Sequence, residues 1–271
     1  MLGTTALGAC GGSNDTADAE AAVEEPKVAL PANLPTELGV TDLTVGTGRE
    51  AVAGDMVLVY YVGVRSEDGE RFDGNYGSRP FPVRIGAGGV IAGWDQGLLG
   101  VREGGVRQLD IPADLAYGDE PRGDVIRAGD ALSFVITVDL VIPASTLADE
   151  PKVTVEGGPN VADVVLTDLV TGDGTAAEVG GAAVFHLVAY RGDTGERIDS
   201  SWDDGEPYFM EIIDGETFPG FVSSIPGMKP GGRRQVRVPF MSAFGPDGSP
   251  DLGLPASTDL ILVLDLLAIY L

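Results

Sequence analysis

From Leu132 to Val138 apolar and polar side chains alternate, with Leu132, Phe134, Ile136 and Val138 falling on one face. A two-residue period marks a strand with one side on a core, so this stretch predicts a half-buried strand. Asp55 to Gly63, Phe81 to Ile85 and Val106 to Ile111 also have strand composition, and Glu67-Asp68-Gly69-Glu70 reads as a turn. No long apolar stripe of helical period occurs. The one short helix predicted follows the run Gly88-Gly89-Val90-Ile91-Ala92-Gly93-Trp94, starting near Ile91 and carrying Trp94 to Leu98. Several strands and one short helix describe an antiparallel sheet wrapped around a helix.

The pattern occurs twice. Thr41-Asp42-Leu43 returns as Thr167-Asp168-Leu169 and Asp73 as Asp199, 126 residues later. Beyond Asp73 the offset is 127 (Phe81 to Tyr208, Trp94 to Phe221, Tyr117 to Phe244), and at the end it is 128 (Ile126 to Leu254, Phe134 to Leu262). Two single-residue loop insertions account for the drift. A period this long means two tandem copies of a whole domain, not a solenoid. The boundaries expected are 38–143 for copy one and 160–271 for copy two, with a proline-punctuated linker at 144–159.

Composition narrows the function. With 17 basic against 42 acidic residues the net charge is −25, which excludes a nucleic-acid backbone and argues against an anionic lipid surface. A single cysteine, Cys10, and a single histidine, His186, leave no internal disulfide and no metal cluster, and neither a metal nor a cofactor is expected. His186 lies in the strand-like run Ala182 to Val188 and is expected to be a hydrogen-bonded strand residue.

The chemistry gathers around Trp94. An indole at the start of a short helix could be a plain core residue, but the aromatics placed around it in sequence argue for a pocket. Phe72-Asp73, Pro80-Phe81, the glycine-flanked Val90-Ile91 and Trp94, and Asp114-Leu115-Ala116-Tyr117-Gly118 occur in one order and spacing that resembles the FKBP-type peptidyl-prolyl isomerases. The resemblance implies an α+β fold, two tandem FKBP-like domains each with an antiparallel sheet wrapped around one short helix. It implies Trp94 as the floor under a proline ring, with Tyr61, Phe72, Phe81 and Phe134 as walls and Val90 and Ile126 completing the site. It further implies that the Ile91 amide and the Tyr117 hydroxyl bond substrate carbonyls, and that Asp73 orients Tyr61. The loop from Phe72 to Phe81 is short and places Arg79 beside Pro80, so no Asp73–arginine pair is assumed.

In copy two the same positions read Leu187, Ile198, Asp199, Tyr208, Thr217, Phe218, Phe221, Phe244, Leu254 and Leu262. The aspartate persists, while the tyrosine hydroxyl and the indole are gone and Leu187 and Leu262 replace aromatic walls. Copy two is therefore expected to be a poor catalyst.

The first ten residues end in Leu7-Gly8-Ala9-Cys10, which resembles a bacterial lipobox, in which cleavage precedes an acylated cysteine. They lack a basic region and a full apolar stretch, as a start codon placed too late would leave them. Residues 11–37, rich in Ala, Asp, Glu and Pro, read as a disordered acidic tether. The expectation is a bacterial enzyme, lipid-anchored on the extracytoplasmic face, that isomerises proline bonds in unfolded or flexible polypeptides and accepts ligands of the macrolide immunosuppressant type. A non-catalytic peptide-binding or chaperone protein is the alternative, separable by an isomerase assay, and a purely structural envelope protein has no positive support beyond the tether.

Overall fold

The computed structural model describes residues 25–215 and 217–271. Cys10 and the tether before Glu25 lie outside the described residues.

Copy one is built from β1 (Gly39–Thr44), β2 (Met56–Arg65), β3 (Arg71–Gly74), β4 (Phe81–Arg84), α1 (Ala92–Gly97), β5 (Val106–Ile111) and β6 (Leu132–Ile142). Copy two repeats it with β7 (Val165–Val170), β8 (Ala182–Arg191), β9 (Arg197–Ser200), β10 (Tyr208–Glu211), α2 (Pro219–Val222), β11 (Arg233–Val238) and β12 (Leu260–Tyr270). Each copy forms one six-stranded sheet whose paired strands run antiparallel. The first runs β1-β5-β6-β2-β3, with β4 pairing β2. The α+β, tandem architecture expected from the pattern is the one observed.

The helix can approach the sheet because Gly93 has no side chain: a Cβ there would lie 2.5 Å from a methyl of Ile111. At Gly220 of α2 the corresponding clash would be with Val238 at 2.2 Å. A buried arginine then ties each helix end to its sheet. Arg107 pairs with Asp42 at 2.7 Å and donates to the Gly97 and Leu99 carbonyls, and Arg234 does the same with Asp168, Ser224 and Pro226. Donating to the last carbonyls satisfies groups that a helix terminus leaves open.

Leu132, Phe134, Ile136 and Val138 face the core against α1, as the alternation requires, but the strand is buried on both sides. On the outer face Val62, Val64 and Val135 pack with Val28, and the Gln108 side chain exchanges hydrogen bonds with both the amide and the carbonyl of Ala29. Residues expected to belong to the tether thus form a strap on the sheet. In the linker, Val153 and Val155 cover the equivalent face of copy two, packing with Val188, Tyr190, Trp202, Ile261 and Val263. His186 stacks on Trp202 at 3.9 Å and is hydrogen-bonded through one nitrogen to Ser145 of the linker (2.8 Å) and through the other to Ser201 (2.7 Å). Burial holds its pKa down, at about 4. The copies meet at an apolar cluster of Leu58 and Ile142 with Val184 and Ala268.

Candidate active site

A cavity of about 210 Å³ opens at the N-terminal end of α1. Trp94, 4% exposed, is its floor, and three rings stand almost perpendicular to the indole: Tyr61 (87°, centroids 5.1 Å apart), Phe134 (87°, 5.3 Å) and Phe81 (79°, 6.5 Å). Phe72 meets Phe134 edge-on at 5.5 Å. Such edge-to-face contacts suit the ring quadrupoles and fix the box without a ligand.

Two of the rings fit only because β2 carries Gly63 between them. A Cβ there would stand 2.7 Å from Phe134 and 2.8 Å from Phe72. The polar side of the box is Asp73, whose Oδ2 accepts a 2.7 Å hydrogen bond from the Tyr61 hydroxyl while Oδ1 accepts from the Gly74 amide. Burial first, then the bond to Asp73, raises the Tyr61 phenol well above its ordinary pKa, so it stays a donor.

Three residues that sequence reasoning passed over hold the walls. Asn75 accepts from the Tyr61 amide at 2.7 Å and donates to the carbonyls of Val59 and Arg79, bracing the loop before Phe81. Asp95 accepts from the amides of Gly86 and Gly88, which sets the turn that delivers Val90 and Ile91 to the cavity. Ile91 then caps α1 with its carbonyl, which accepts from Trp94. Arg122 lies over the ring of Tyr117 at 5.3 Å, a cation–π contact. An asparagine or aspartate in a turn carries no signal of its own partner, whereas the unusual Gly63 inside a strand was a readable one.

Of the ten positions assigned to this site, nine line the cavity. Ile126 does not: it sits in the core, paired with Arg122 across a tight turn, and so supports the residue that covers Tyr117. Arg79 does not approach Asp73; it turns away to Glu211 of copy two.

Copy two has a smaller cavity, about 120 Å³, lined by Leu187, Asp199, Tyr208, Thr217, Phe218, Phe221, Phe244 and Leu262 among others. Ala189 occupies the place of Gly63, facing the shorter Leu262. Phe185, at the place of Val59, lies 5.4 Å from Phe221. Ile198 and Leu254 belong to the core behind the cavity. Leu187, at the place of Tyr61, has no hydroxyl to offer Asp199, so the Tyr61–Asp73 bond has no counterpart.

Residues 47–139 and 174–267 each match the family model for the FKBP-type peptidyl-prolyl cis-trans isomerase, which together is more than half of the chain. The chain belongs to that family. It is 45% identical over 116 residues to an FK506-binding protein of Streptomyces anulatus, covering 94% of that protein and 42% of this chain. A probable FK506-binding protein of Corynebacterium glutamicum is 42% identical over 118 residues, covering 96% of its own length and 42% of this chain. Among solved structures, AtFKBP13 is 37% identical, covering 42% of this chain and 97% of its own, with a TM-score of 0.36. The chain is thus an FKBP-type isomerase with two matched repeats, and the inventories above separate them: a box of rings around an indole with a phenol–carboxylate pair in the first, a smaller cavity without the indole or that pair in the second. Among the described residues no cluster of potential metal ligands occurs, and no helix is long and apolar enough to cross a membrane.

Proposed function

We propose that the isomerase activity resides in copy one, and that it acts on X-Pro bonds of unfolded or flexible polypeptides outside the cytoplasmic membrane. The observation that carries the first part is the box of three rings perpendicular to Trp94 beside the Tyr61–Asp73 hydrogen bond. Rotation about an X-Pro bond meets a barrier of about 18–20 kcal/mol, most of it lost amide conjugation, and no covalent bond breaks. The twisted amide is less polar than the planar one, so a dry aromatic box favours it. Donors set for the twisted geometry, the Ile91 amide and the Tyr117 hydroxyl, add interactions that the ground state makes less well. Asp73 holds Tyr61 in place as a wall. The names of the similar proteins support an FK506-type macrolide as a ligand of the same box.

In the full chain, Trp94→Leu is expected to lower kcat/KM for a proline peptide by about tenfold or more, equivalent to about 1.4 kcal/mol, and Phe221→Leu to leave it within about twofold. The opposite result would move the activity to copy two. The copy-two cavity supports a second reading, in which that copy holds apolar peptide without turning it over.

The location rests on Cys10 and the acidic stretch behind it. Metabolic labelling with a radioactive fatty acid, in a bacterial host expressing the gene with its upstream sequence, is expected to mark the wild type and not Cys10→Ser. Equal labelling of both would remove the anchor from this reading.

A further inference from the structure

The contact between the copies has a pseudo-two-fold character with reversed charge. By the 127-residue offset, Glu206 stands at the place of Arg79 and Glu211 at the place of Arg84. The pairs formed are Arg79 with Glu211 and Arg84 with Glu206, each arginine meeting the residue that stands at the other arginine's place, which is the rule of an isologous interface. Arg79 also donates to the Gly180 carbonyl, and Arg84 to that of Asp204 at 3.3 Å. Had the two patches been identical, arginine would face arginine or glutamate would face glutamate. The substitution of sign lets copy one pair with copy two and opposes pairing of like with like.

The two arginines bracket β4, the strand that bears Phe81. Among the described residues β4 pairs only with β2, from Phe81 opposite Val59 to Arg84 opposite Met56, and its other edge has no strand partner. Phe81 itself is 41% exposed. Its wall of the box is therefore held from within by one short ladder and from outside by copy two. Arg79 is joined to the site a second way, since its carbonyl accepts from Asn75, which in turn holds the Tyr61 amide.

We propose that copy two is a positioning element of the copy-one active site, with Glu206 and Glu211 as positioning residues that act through Arg79 and Arg84 on β4 and Phe81. This rests on the assignment of catalysis to copy one. It gives the degenerate repeat a role that needs no turnover of its own: it sets how firmly the proline pocket is walled.

The test is steady-state isomerase kinetics of the full chain carrying Arg79→Glu, Glu211→Arg or both. Each single change places like charges together and is expected to raise KM roughly three- to tenfold with kcat within about twofold, because loosening Phe81 weakens the hold on the proline ring throughout, while Trp94, Tyr61 and Phe134 still supply the dry surroundings of the twisted bond. The double variant restores the attraction with reversed sign and is expected to return KM to within about twofold of wild type. Glu211→Gln, nearly isosteric and unable to repel, should raise KM less but in the same direction, so the test does not hang on tolerance of a reversed charge. Wild-type KM in all the single variants, or a double variant no better than its parents, would overturn the proposal. Trp94→Leu is measured alongside: if it leaves turnover intact, the assignment to copy one fails and this inference with it, whereas loss of turnover there with unchanged KM in the charge variants sinks the positioning role alone.

Discussion

The hydroxyl of Tyr61 donates to Oδ2 of Asp73 at 2.7 Å, from a ring that also stands at 87° to the Trp94 indole. One side chain is thereby both a wall of the pocket and, among the described residues, the hydrogen-bonded link between its aromatic and its carboxylate sides. Tyr61→Phe keeps the wall and removes the link, while Asp73→Ala keeps the ring and releases it. Both are expected to lower kcat/KM by about tenfold, with unfolding free energies within about 1.5 kcal/mol of wild type. Peptide isomerisation and urea titration of the same samples check this, and a fully active Asp73→Ala would contradict it. Because burial and Asp73 raise the Tyr61 pKa above 10.0, the folded chain keeps that proton where the unfolded chain begins to lose it. Stability from this group is complete below about pH 10 and declines as pH rises further.

Gly63 separates the copies in a second way. Gly63→Ala inserts a methyl 2.7 Å from Phe134 and 2.8 Å from Phe72, and overpacking of this kind costs about 1–3 kcal/mol. The reverse change in copy two, Ala189→Gly, is expected to cost about 1 kcal/mol or less. Loss of FK506 binding in calorimetry should accompany the first change only. Unimpaired binding by Gly63→Ala would mean that the two phenylalanines repack freely.

His186 predicts the acid limb of the stability curve. The ring is 2% exposed and its pKa is lowered from 6.5 to about 4 by burial, with Asp149 opposing weakly. The unfolded state takes up the proton first, so stability is intact above about pH 6.5 and is lost as pH falls toward 4. Between pH 7 and pH 5 the loss from this residue is about 2 kcal/mol. Replacing it by the tyrosine that copy one carries at the same place, His186→Tyr, should flatten that interval in urea unfolding. An unchanged slope would place the acid sensitivity among the carboxylates.

The repeat, the strands and the pocket lining were legible because they rest on local pattern: alternation along β6, the glycine run before Trp94, and aromatics at fixed spacing. Ile126 stands apart for a complementary reason: its spacing fits the lining, but it is buried in the core cluster that also holds Trp94 and Phe134. The strap, the linker cover and the Arg79–Glu211 contact depend on which surfaces the fold leaves apolar or charged, and a run such as Val28-Ala29-Leu30 amid acidic residues gives no such information. Burial of β6 on its outer side follows from that strap.

The covers on the two sheets stand in register with each other. Val28 meets Val62, Val64 and Val135, while Val153 and Val155 meet Val188, Tyr190 and Val263, the same places one repeat later. In each copy the chain ahead of the first strand is thus a cover for the outer face of the sheet, and the stretch joining the copies is part of the second domain as much as a connection. It cannot be shortened as a spacer could without baring Trp202.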